Sequence, residues 1–163
     1  MIKFGTDGWR AIMDYEFTVD RVALVTQAIA DYLIQSGFGS REVIVGYDTR
    51  RNSRIFAETV CSVLSGNNIR ILLPKRDIPT PLVAFTIMDR RLGGGIMITA
   101  SHNPPEYNGI KFIPEKGAPA LPEVTDAIER NIRSSSSVRK IEFQDAKTYG
   151  LVAEFDPFHK YSK

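Results

Sequence analysis

Short apolar runs alternate along this chain with longer stretches in which apolar residues recur every three or four positions. The runs predict buried strands, and the stretches predict amphipathic helices. We predict strands over residues 2–4 and 10–13, 43–45, 69–73, 96–99 and 110–113. We predict helices over residues 18–36, 52–65, 80–90 and 121–132. Strands and helices that alternate in this way are typical of layered α/β domains, so this fold class is expected.

The residues at the predicted helix starts support these boundaries. Thr18 carries a hydroxyl that can accept a hydrogen bond from the first turn of a helix. Asn52 or Ser53 is placed to cap the second helix in the same way. Thr80 precedes Pro81, which predicts a hydroxyl cap followed by proline at the first helical position.

The end of the chain is less regular than the rest. Four consecutive serines at 134–137 predict a flexible connector. Residues 149–155 are compatible with one further short strand, and residues 156–163 contain neither a helix terminator nor a cap. We therefore expect a folded domain over residues 1–133. Residues 134–163 are expected to form a connector at the boundary toward a second domain.

The composition is that of an ordinary globular protein, with 43% hydrophobic and 25% charged residues. A net charge of +2 does not predict binding to nucleic acid or to a membrane surface. The single cysteine, Cys61, excludes an intrachain disulfide and lies at helical spacing among apolar residues, so a buried thiol is predicted. No signal peptide or long apolar segment is recognisable, and a cytoplasmic location is expected.

Residues 93–112 carry the most chemical information. Ser101 lies between an apolar run and the sequence His-Asn-Pro-Pro. Proline fixes its own φ and restricts the residue before it, so the exit from this loop is stiff. Asn108-Gly109 is predicted to turn the chain back into the next strand. A loop of this kind presents one hydroxyl nucleophile in a fixed geometry, with an imidazole beside it.

Three motifs occur in the order found in one enzyme family. Residues 99–112 read TASHNPPEYNGIKF, residues 4–10 read FGTDGWR, and residues 46–50 read GYDTR. They resemble the phosphoserine loop, the N-terminal signature and the second conserved loop of the α-D-phosphohexomutases, the phosphoglucomutase/phosphomannomutase family. The resemblance spans residues 1 to about 155. It implies the fold of that family's domain I, an α/β layered domain with a mixed, mostly parallel sheet covered by helices on both faces.

The resemblance also implies roles for individual residues. Ser101 would carry a phosphoryl group, donate it to a phosphosugar, and regain one from a bisphosphorylated intermediate, so that hexose 1-phosphate and hexose 6-phosphate interconvert. Hexose 1,6-bisphosphate would act as activator. His102 would orient or support the phosphoserine. Lys111 would serve in proton transfer at the sugar hydroxyl, and Arg10 would lie near the reacting phosphate, so that both bind substrate.

Simpler roles stand beside these. His102 can make a structural hydrogen bond, and Lys111 can be a solvated strand residue. Arg50 either binds a phosphate through its guanidinium fork or braces the loops through Asp48. Asp7 and Asp48 each stand alone in a loop, where aspartate more often makes turn hydrogen bonds than binds a metal.

The family's Mg²⁺ site combines the phosphoserine oxygen with aspartates in a DGDxDR-type loop, and no such string occurs in the 163 residues. The resemblance thus implies that Ser101 contacts Mg²⁺ through its phosphate, with the remaining ligands outside this chain. Counterparts of the family's sugar-recognition loop and C-terminal phosphate-binding loop are also missing. We therefore expect this chain to be the first of four domains, with the missing domains of the same chain as its partners. On its own, the domain is expected to be inactive as a mutase.

Other functions fit the sequence less well. A hydrolase with Ser101 and His102 as nucleophile and base would need the G-x-S-x-G elbow, which this loop lacks. A nucleotide-binding module built on residues 93–95 matches neither G-x-G-x-x-G nor the P-loop. A stand-alone, non-catalytic domain that binds phosphosugars or partners stays open if the natural chain ends near Lys163.

Overall fold

The computed structural model describes residues 2–134 and 137–158, and within them the strands form one six-stranded sheet in the order β1-β5-β4-β2-β3-β6. The strands are β1 Trp9–Ile12, β2 Val43–Tyr47, β3 Ile71–Pro74, β4 Gly94–Ile98, β5 Tyr107–Pro114 and β6 Val152–Phe155. The helices are α1 Val19–Gln35, α2 Ser53–Gly66, α3 Thr80–Arg90, α4 Pro122–Ser134 and α5 Phe143–Thr148.

Both strand directions occur in this sheet. β2 pairs in parallel with β3 and with β4, and β3 pairs in parallel with β6. β5 is antiparallel to β4 on one side and to β1 on the other. The mixed, mostly parallel sheet predicted from the sequence is therefore confirmed. It also follows that the chain passes from β4 to β5 through a short hairpin loop, which contains Ser101.

Helices cover both faces of the sheet, as predicted. The larger core lies under α1, α2, α4 and α5, and its largest fully buried side chains include Phe17 and Phe112. The smaller core lies under α3, where Leu82, Val83 and Ile87 pack against β2 and β4. Cys61 is fully buried in the larger core, and burial raises the pKa of its thiol. The predicted buried thiol is thereby confirmed.

Several local predictions were right and others were wrong. Thr18 caps α1 by accepting a hydrogen bond from the N–H of Arg21 at 3.3 Å. Asn52 precedes α2 in a left-handed conformation without a side-chain cap, and Ser53 donates to Asp48 instead. No strand forms at residues 2–4. The loop that follows them closes on itself through the mutual backbone hydrogen bonds of Gly5 and Gly8.

The third helix also starts differently from the prediction. Pro79, and not Thr80, occupies the cap position, and it has no side chain that can accept a hydrogen bond. Thr80 is the first helical residue, so Pro81 lies one position further into the helix than predicted.

The segment after α4 differs from the predicted connector. Phe143 and Ala146 of α5 are buried in the larger core, and β6 extends the sheet by pairing with β3. The short strand that the sequence allowed within residues 149–155 is thus present as β6. Residues 143–155 pack on the domain and do not lead away from it. Ser135 and Ser136 of the serine run lie outside the described residues. A boundary toward a second domain stays a prediction.

None of the helices within the described residues combines the length and apolar character needed to cross a membrane.

Candidate active site

Three segments meet beside Ser101. The loop between β4 and β5 carries the serine, the loop after β2 contributes Asp48 and Arg50, and β1 contributes Arg10. The loops after β2 and β4 lie at the carboxyl ends of parallel neighbours, the usual location of ligand sites in open α/β sheets. The three motifs of the sequence therefore meet at one edge of the sheet. Arg10 of the first motif reaches this edge from strand β1.

Ser101 has an unusual backbone. Its φ is +50°, in the left-handed region that non-glycine residues rarely adopt, and its side chain is exposed. Its N–H donates to Oγ1 of Thr99 at 3.0 Å, while its carbonyl accepts from Arg50 at 2.8 Å. Left-handed non-glycine residues persist where their surroundings hold them, and they cluster at functional sites. The serine at the tip of this hairpin is thus held from both sides.

Arg10 lies beside the serine hydroxyl. One terminal nitrogen lies 3.4 Å from Oγ of Ser101, and the other donates to Oδ1 of Asn103 at 3.1 Å. Arg10 pairs with Gly109 across the sheet, where a Cβ would come within 2.8 Å of the arginine Cγ. The glycine therefore leaves room for the arginine side chain to reach the loop. Within the described residues, the buried Nε of Arg10 has no acceptor.

Arg50 is directed at the backbone of the serine loop. Its guanidinium donates to the carbonyls of Ser101, Asn103, Pro104 and Tyr107 at 2.7 to 3.0 Å. Its Nε lies 3.5 Å from a carboxylate oxygen of Asp48, and its side chain is only 14% exposed. Of the two roles left open by the sequence, this geometry favours bracing. Phosphate binding by Arg50 stays an untested prediction.

Sequence reasoning missed a chain of polar side chains behind this loop. Oδ1 of Asp48 accepts from the backbone N–H of Arg50 and from the hydroxyl of Ser53, at 3.0 and 2.7 Å. Nδ2 of Asn108 donates to the same hydroxyl at 3.0 Å. Asn108 and Ser53 are both fully buried, an unusual setting for polar residues that indicates a fixed network.

The predicted turn at Asn108-Gly109 was wrong. Both residues lie inside β5, which has partner strands on both sides. Oδ1 of Asn108 accepts from the N–H of Gly109, so the side-chain amide satisfies the backbone locally without turning it. The chain turns earlier, where the N–H of Tyr107 donates to the carbonyl of Pro104. Pairing on both edges outweighs the turn preference of an Asn-Gly dipeptide.

Lys111 and Arg10 lie on the same face of the sheet. Lys111 is paired with Met97, which belongs to the core under α3, and it is half-buried. Arg10 lies on neighbouring β1, opposite Gly109 and therefore diagonal to Lys111. His102 is exposed at the tip of the hairpin, next to Ser101. The fold therefore places Arg10 and Lys111 on one face of the sheet and His102 beside Ser101, and their catalytic roles stay predictions.

An open groove runs along this edge of the domain. It is lined by Asp48, Thr49, Arg50, Arg51, Ser101, Asn103, Pro105 and Glu106. Cations flank the serine, and the one carboxylate of the network, Asp48, is paired with Arg50. Such a surface suits an anionic group attached to Ser101 or presented to it.

The donor set here does not suit a complete divalent metal site. Across residues 2–134 and 137–158, no three His, Cys, Asp or Glu residues are grouped closely enough to hold a metal ion. Mg²⁺ prefers six oxygen ligands, usually including one or two carboxylates. Two carboxylates line the groove, Asp48 and Glu106. Asp48 is already engaged by Arg50 and Ser53, which leaves Glu106 alone as a carboxylate ligand.

Comparison with known proteins gives a consistent result. The family model for the α/β/α domain I of phosphoglucomutase/phosphomannomutase matches residues 1–139. The chain is 35% identical over 155 residues to a phosphoglucomutase of Staphylococcus saprophyticus, covering 91% of this chain and 27% of that protein. It is 38% identical over 138 residues to a phosphoglucosamine mutase of Chlamydia abortus, covering 84% of this chain and 29% of the relative.

Solved structures agree at the level of the fold. A candidate phosphomannomutase from Thermus thermophilus superposes with a TM-score of 0.86 at 34% identity, over 98% of this chain and 34% of that one. Parafusin, a phosphoglucomutase from Paramecium, superposes with a TM-score of 0.84 at 22% identity, over 98% of this chain and 34% of that chain, which supports the fold alone. The chain thus spans about a third of the length of the proteins it matches.

Proposed function

Because the chain belongs to the phosphoglucomutase/phosphomannomutase family, as its domain I, we propose that Ser101 is the phosphoryl carrier of a phosphosugar mutase. The observation that carries this proposal is the setting of Ser101. An exposed hydroxyl is held in a left-handed conformation at the tip of a braced hairpin, 3.4 Å from an arginine. A group held in one geometry next to a fixed cation is what phosphoryl transfer requires, because catalysis there is mostly positioning and electrostatics.

The proposed reaction has two balanced halves. In the first, the P–O bond to Oγ of phosphorylated Ser101 breaks while a P–O bond to a sugar hydroxyl forms, and the hydroxyl proton passes to a base. Between the halves, Oγ of Ser101 takes up a proton from the base. In the second, the other P–O bond of the bisphosphorylated sugar breaks while a P–O bond to Oγ of Ser101 forms, and the serine proton passes through the base to the departing sugar oxygen. The substrates are hexose 1-phosphate and hexose 6-phosphate, and hexose 1,6-bisphosphate primes the serine.

Arg10 and Lys111 have separate tasks in this proposal. Arg10 stabilises negative charge on the equatorial oxygens of the moving phosphoryl group, for which its position beside Oγ is suitable. Lys111 acts in proton transfer at the sugar hydroxyl, and the neighbouring arginine lies on the same face of the sheet. His102, next to the serine, orients the phosphoserine.

Mg²⁺ is proposed as the cofactor of the whole protein, in which it would supply further positive charge next to the transferred phosphoryl group. The described residues lack a carboxylate cluster for it, so its ligands other than phosphoserine would come from outside this chain. The sugar-recognition groups are proposed to come from there as well. The relatives include mutases named for glucose and for glucosamine phosphates, so glucose, mannose and glucosamine phosphates are all to be tested.

The decisive experiment uses the protein expressed from its whole gene. It is incubated with α-D-glucose 1,6-bisphosphate, and the site of phosphorylation is mapped by mass spectrometry. We expect phosphate on Ser101, and we expect Ser101→Ala to abolish interconversion of the 1- and 6-phosphates. Ser62→Ala, on the half-buried side of α2, is the matched control and should retain activity. Phosphate on another residue, or full turnover in Ser101→Ala, would contradict the proposal. No phosphorylation and no turnover in the unaltered protein would favour a non-catalytic binding domain.

A further inference from the structure

We propose that Arg50 is a positioning residue that holds Ser101 in its left-handed conformation, and that it is not a ligand of the substrate phosphate. Only the catalytic consequence of this inference rests on the proposed function. The structural part concerns the conformation of the serine loop and depends only on the contacts that Arg50 makes there.

Each N–H donor of the Arg50 guanidinium faces an acceptor within the domain. A guanidinium has five N–H groups in a fixed, planar arrangement. Four of them are matched by the carbonyls of Ser101, Asn103, Pro104 and Tyr107, at 2.8, 2.7, 2.8 and 3.0 Å. The fifth, on Nε, faces Asp48 at 3.5 Å. A phosphate could bind Arg50 only by displacing one of these acceptors, whereas Arg10 already has a terminal nitrogen beside the serine hydroxyl.

Convergence of four carbonyls on one side chain determines the path of the loop. The carbonyls come from residues 101 to 107, so the hairpin must curl around the guanidinium for all of them to reach it. A left-handed residue at the tip produces this curl, and that conformation is strained for a residue with a Cβ such as Ser101. Without the guanidinium, the serine would relax to an extended conformation, and its Oγ would move away from Arg10.

The side chain of Arg50 is itself fixed from behind. Asp48 accepts from the backbone N–H of Arg50 and from Ser53, and Asn108 donates to the same serine hydroxyl. Since Ser53 and Asn108 are fully buried, this carboxylate cannot easily turn away. The network connects β5, the start of α2 and the loop after β2 to the serine hairpin. Lysine would keep the charge at position 50 but could not bind four carbonyls in one plane.

The test compares Arg50→Lys and Arg50→Ala with a matched control. Arg139→Lys is suitable because Arg139 also makes several hydrogen bonds, but to Asn67 and Asp31, at the end of α2 and on α1, away from the serine hairpin. Crystal structures of the 163-residue chain give φ of Ser101 in each variant. We expect Ser101 to leave the left-handed region in both Arg50 variants and to stay there in Arg139→Lys, even if that variant is less stable.

The functional readout is the rate at which Ser101 is phosphorylated by α-D-glucose 1,6-bisphosphate in the protein expressed from its whole gene. We expect the maximal rate to fall about a hundredfold in Arg50→Lys, the loss typical of a displacement near 1 Å, with little change in the half-saturating bisphosphate concentration. Adding guanidinium ion to Arg50→Ala should restore part of the rate and of the Ser101 conformation. Ammonium ion should restore neither.

The outcomes separate the two roles of Arg50. A left-handed Ser101 in both Arg50 variants would overturn the proposal, and so would a large rise in the half-saturating concentration with an unchanged maximal rate. If the unaltered protein takes no phosphate on Ser101, the proposed function fails. The crystal structures would still decide whether Arg50 holds the loop.

Discussion

Gly8 is the glycine of this chain at which an added side chain would find the least room. Its φ is +75°, and a Cβ there would lie 2.0 Å from the carbonyl oxygen of Ile110 and 2.8 Å from the Cα of Lys111. The first loop can therefore lie directly on β5, immediately before the strand that carries Arg10 begins. Glycine at this position is required both by the backbone conformation and by the close approach.

We predict that Gly8→Ala destabilises the chain by about 2–4 kcal/mol, because it combines a strained φ with overpacking against a backbone that cannot move aside. Gly37→Ala is the matched control, since Gly37 has a φ of +84° and a Cβ added there would have nothing within 4 Å. It should cost only about 1 kcal/mol, from strain alone. Urea unfolding followed by circular dichroism measures both values, and equal losses would show that the close approach to β5 is unimportant.

The resemblance of the motifs singled out Ser101 and Arg10, and the fold brings the two side chains to 3.4 Å of each other. The partners of Arg50 were not predictable in the same way. They are backbone carbonyls, which every residue has, so no side-chain pattern reveals them. Ser53 and Asn108 were missed because a polar residue in a run of sequence carries no sign of being buried.

At the level of elements, prediction succeeded where the hydrophobic period was long or the apolar run was continuous. α1 and β2 were predicted correctly for this reason. The apolar face of α1 is buried, and β2 is buried along its whole length. α5 was missed because six residues with only Phe143 and Ala146 buried give too little periodicity. β6 was only a possibility in the sequence, since its place at the sheet edge depends on pairing with distant β3.

An ion pair connects these two weakly encoded elements. Nζ of Lys147 on α5 lies 2.7 Å from a carboxylate oxygen of Glu154 on β6. The hydrogen bond from Lys147 lowers the pKa of the Glu154 carboxyl below its ordinary value, against the opposing effect of partial burial. The pair is partly exposed, so its contribution to stability is at most about 1 kcal/mol.

We predict that Glu154→Gln lowers the melting temperature by a small amount at neutral pH and has progressively less effect in acid. A carboxyl with a lowered pKa in the folded state stabilises that state above its unfolded pKa. This stabilisation is lost as the pH falls through the lower folded value. Thermal unfolding of both proteins across the acid range tests this, with Glu142→Gln, an exposed residue without a side-chain cap bond, as control. A difference between Glu154→Gln and the parent that persists undiminished in strong acid would exclude the ion pair as its cause.

At the scale of the whole molecule, the two cores and the covered sheet indicate that this chain folds on its own. The larger core joins helices from residue 19 to residue 148 around one face, and α3 closes much of the other. The candidate site, in contrast, is an open groove at the edge of the domain. Charges act weakly on a surface open to water, so stability and catalysis are expected to separate in this chain.

We predict that the 163-residue chain unfolds cooperatively and has no mutase activity of its own. Calorimetry should give a single transition, while assays with hexose 1-phosphates and 6-phosphates should show no interconversion. Titration with Mg²⁺ should show little affinity, as expected from the lack of a carboxylate cluster among the described residues. The protein expressed from the whole gene, prepared in parallel, is the positive control. Steady turnover by the 163-residue chain, free of contaminating mutase, would contradict the prediction and indicate a complete small enzyme.

The pairing of β1 with β5 also determines when the site can be assembled during synthesis. Trp9 is paired with Ile110, so the strand that carries Arg10 must wait for about a hundred further residues before its partner exists. During that interval β1 leaves the ribosome as an unpaired segment of chain. Arg10 is translated well before Ser101, yet it cannot reach Ser101 until β5 has emerged and docked. The serine therefore acquires its neighbouring cation only after most of this domain has been made.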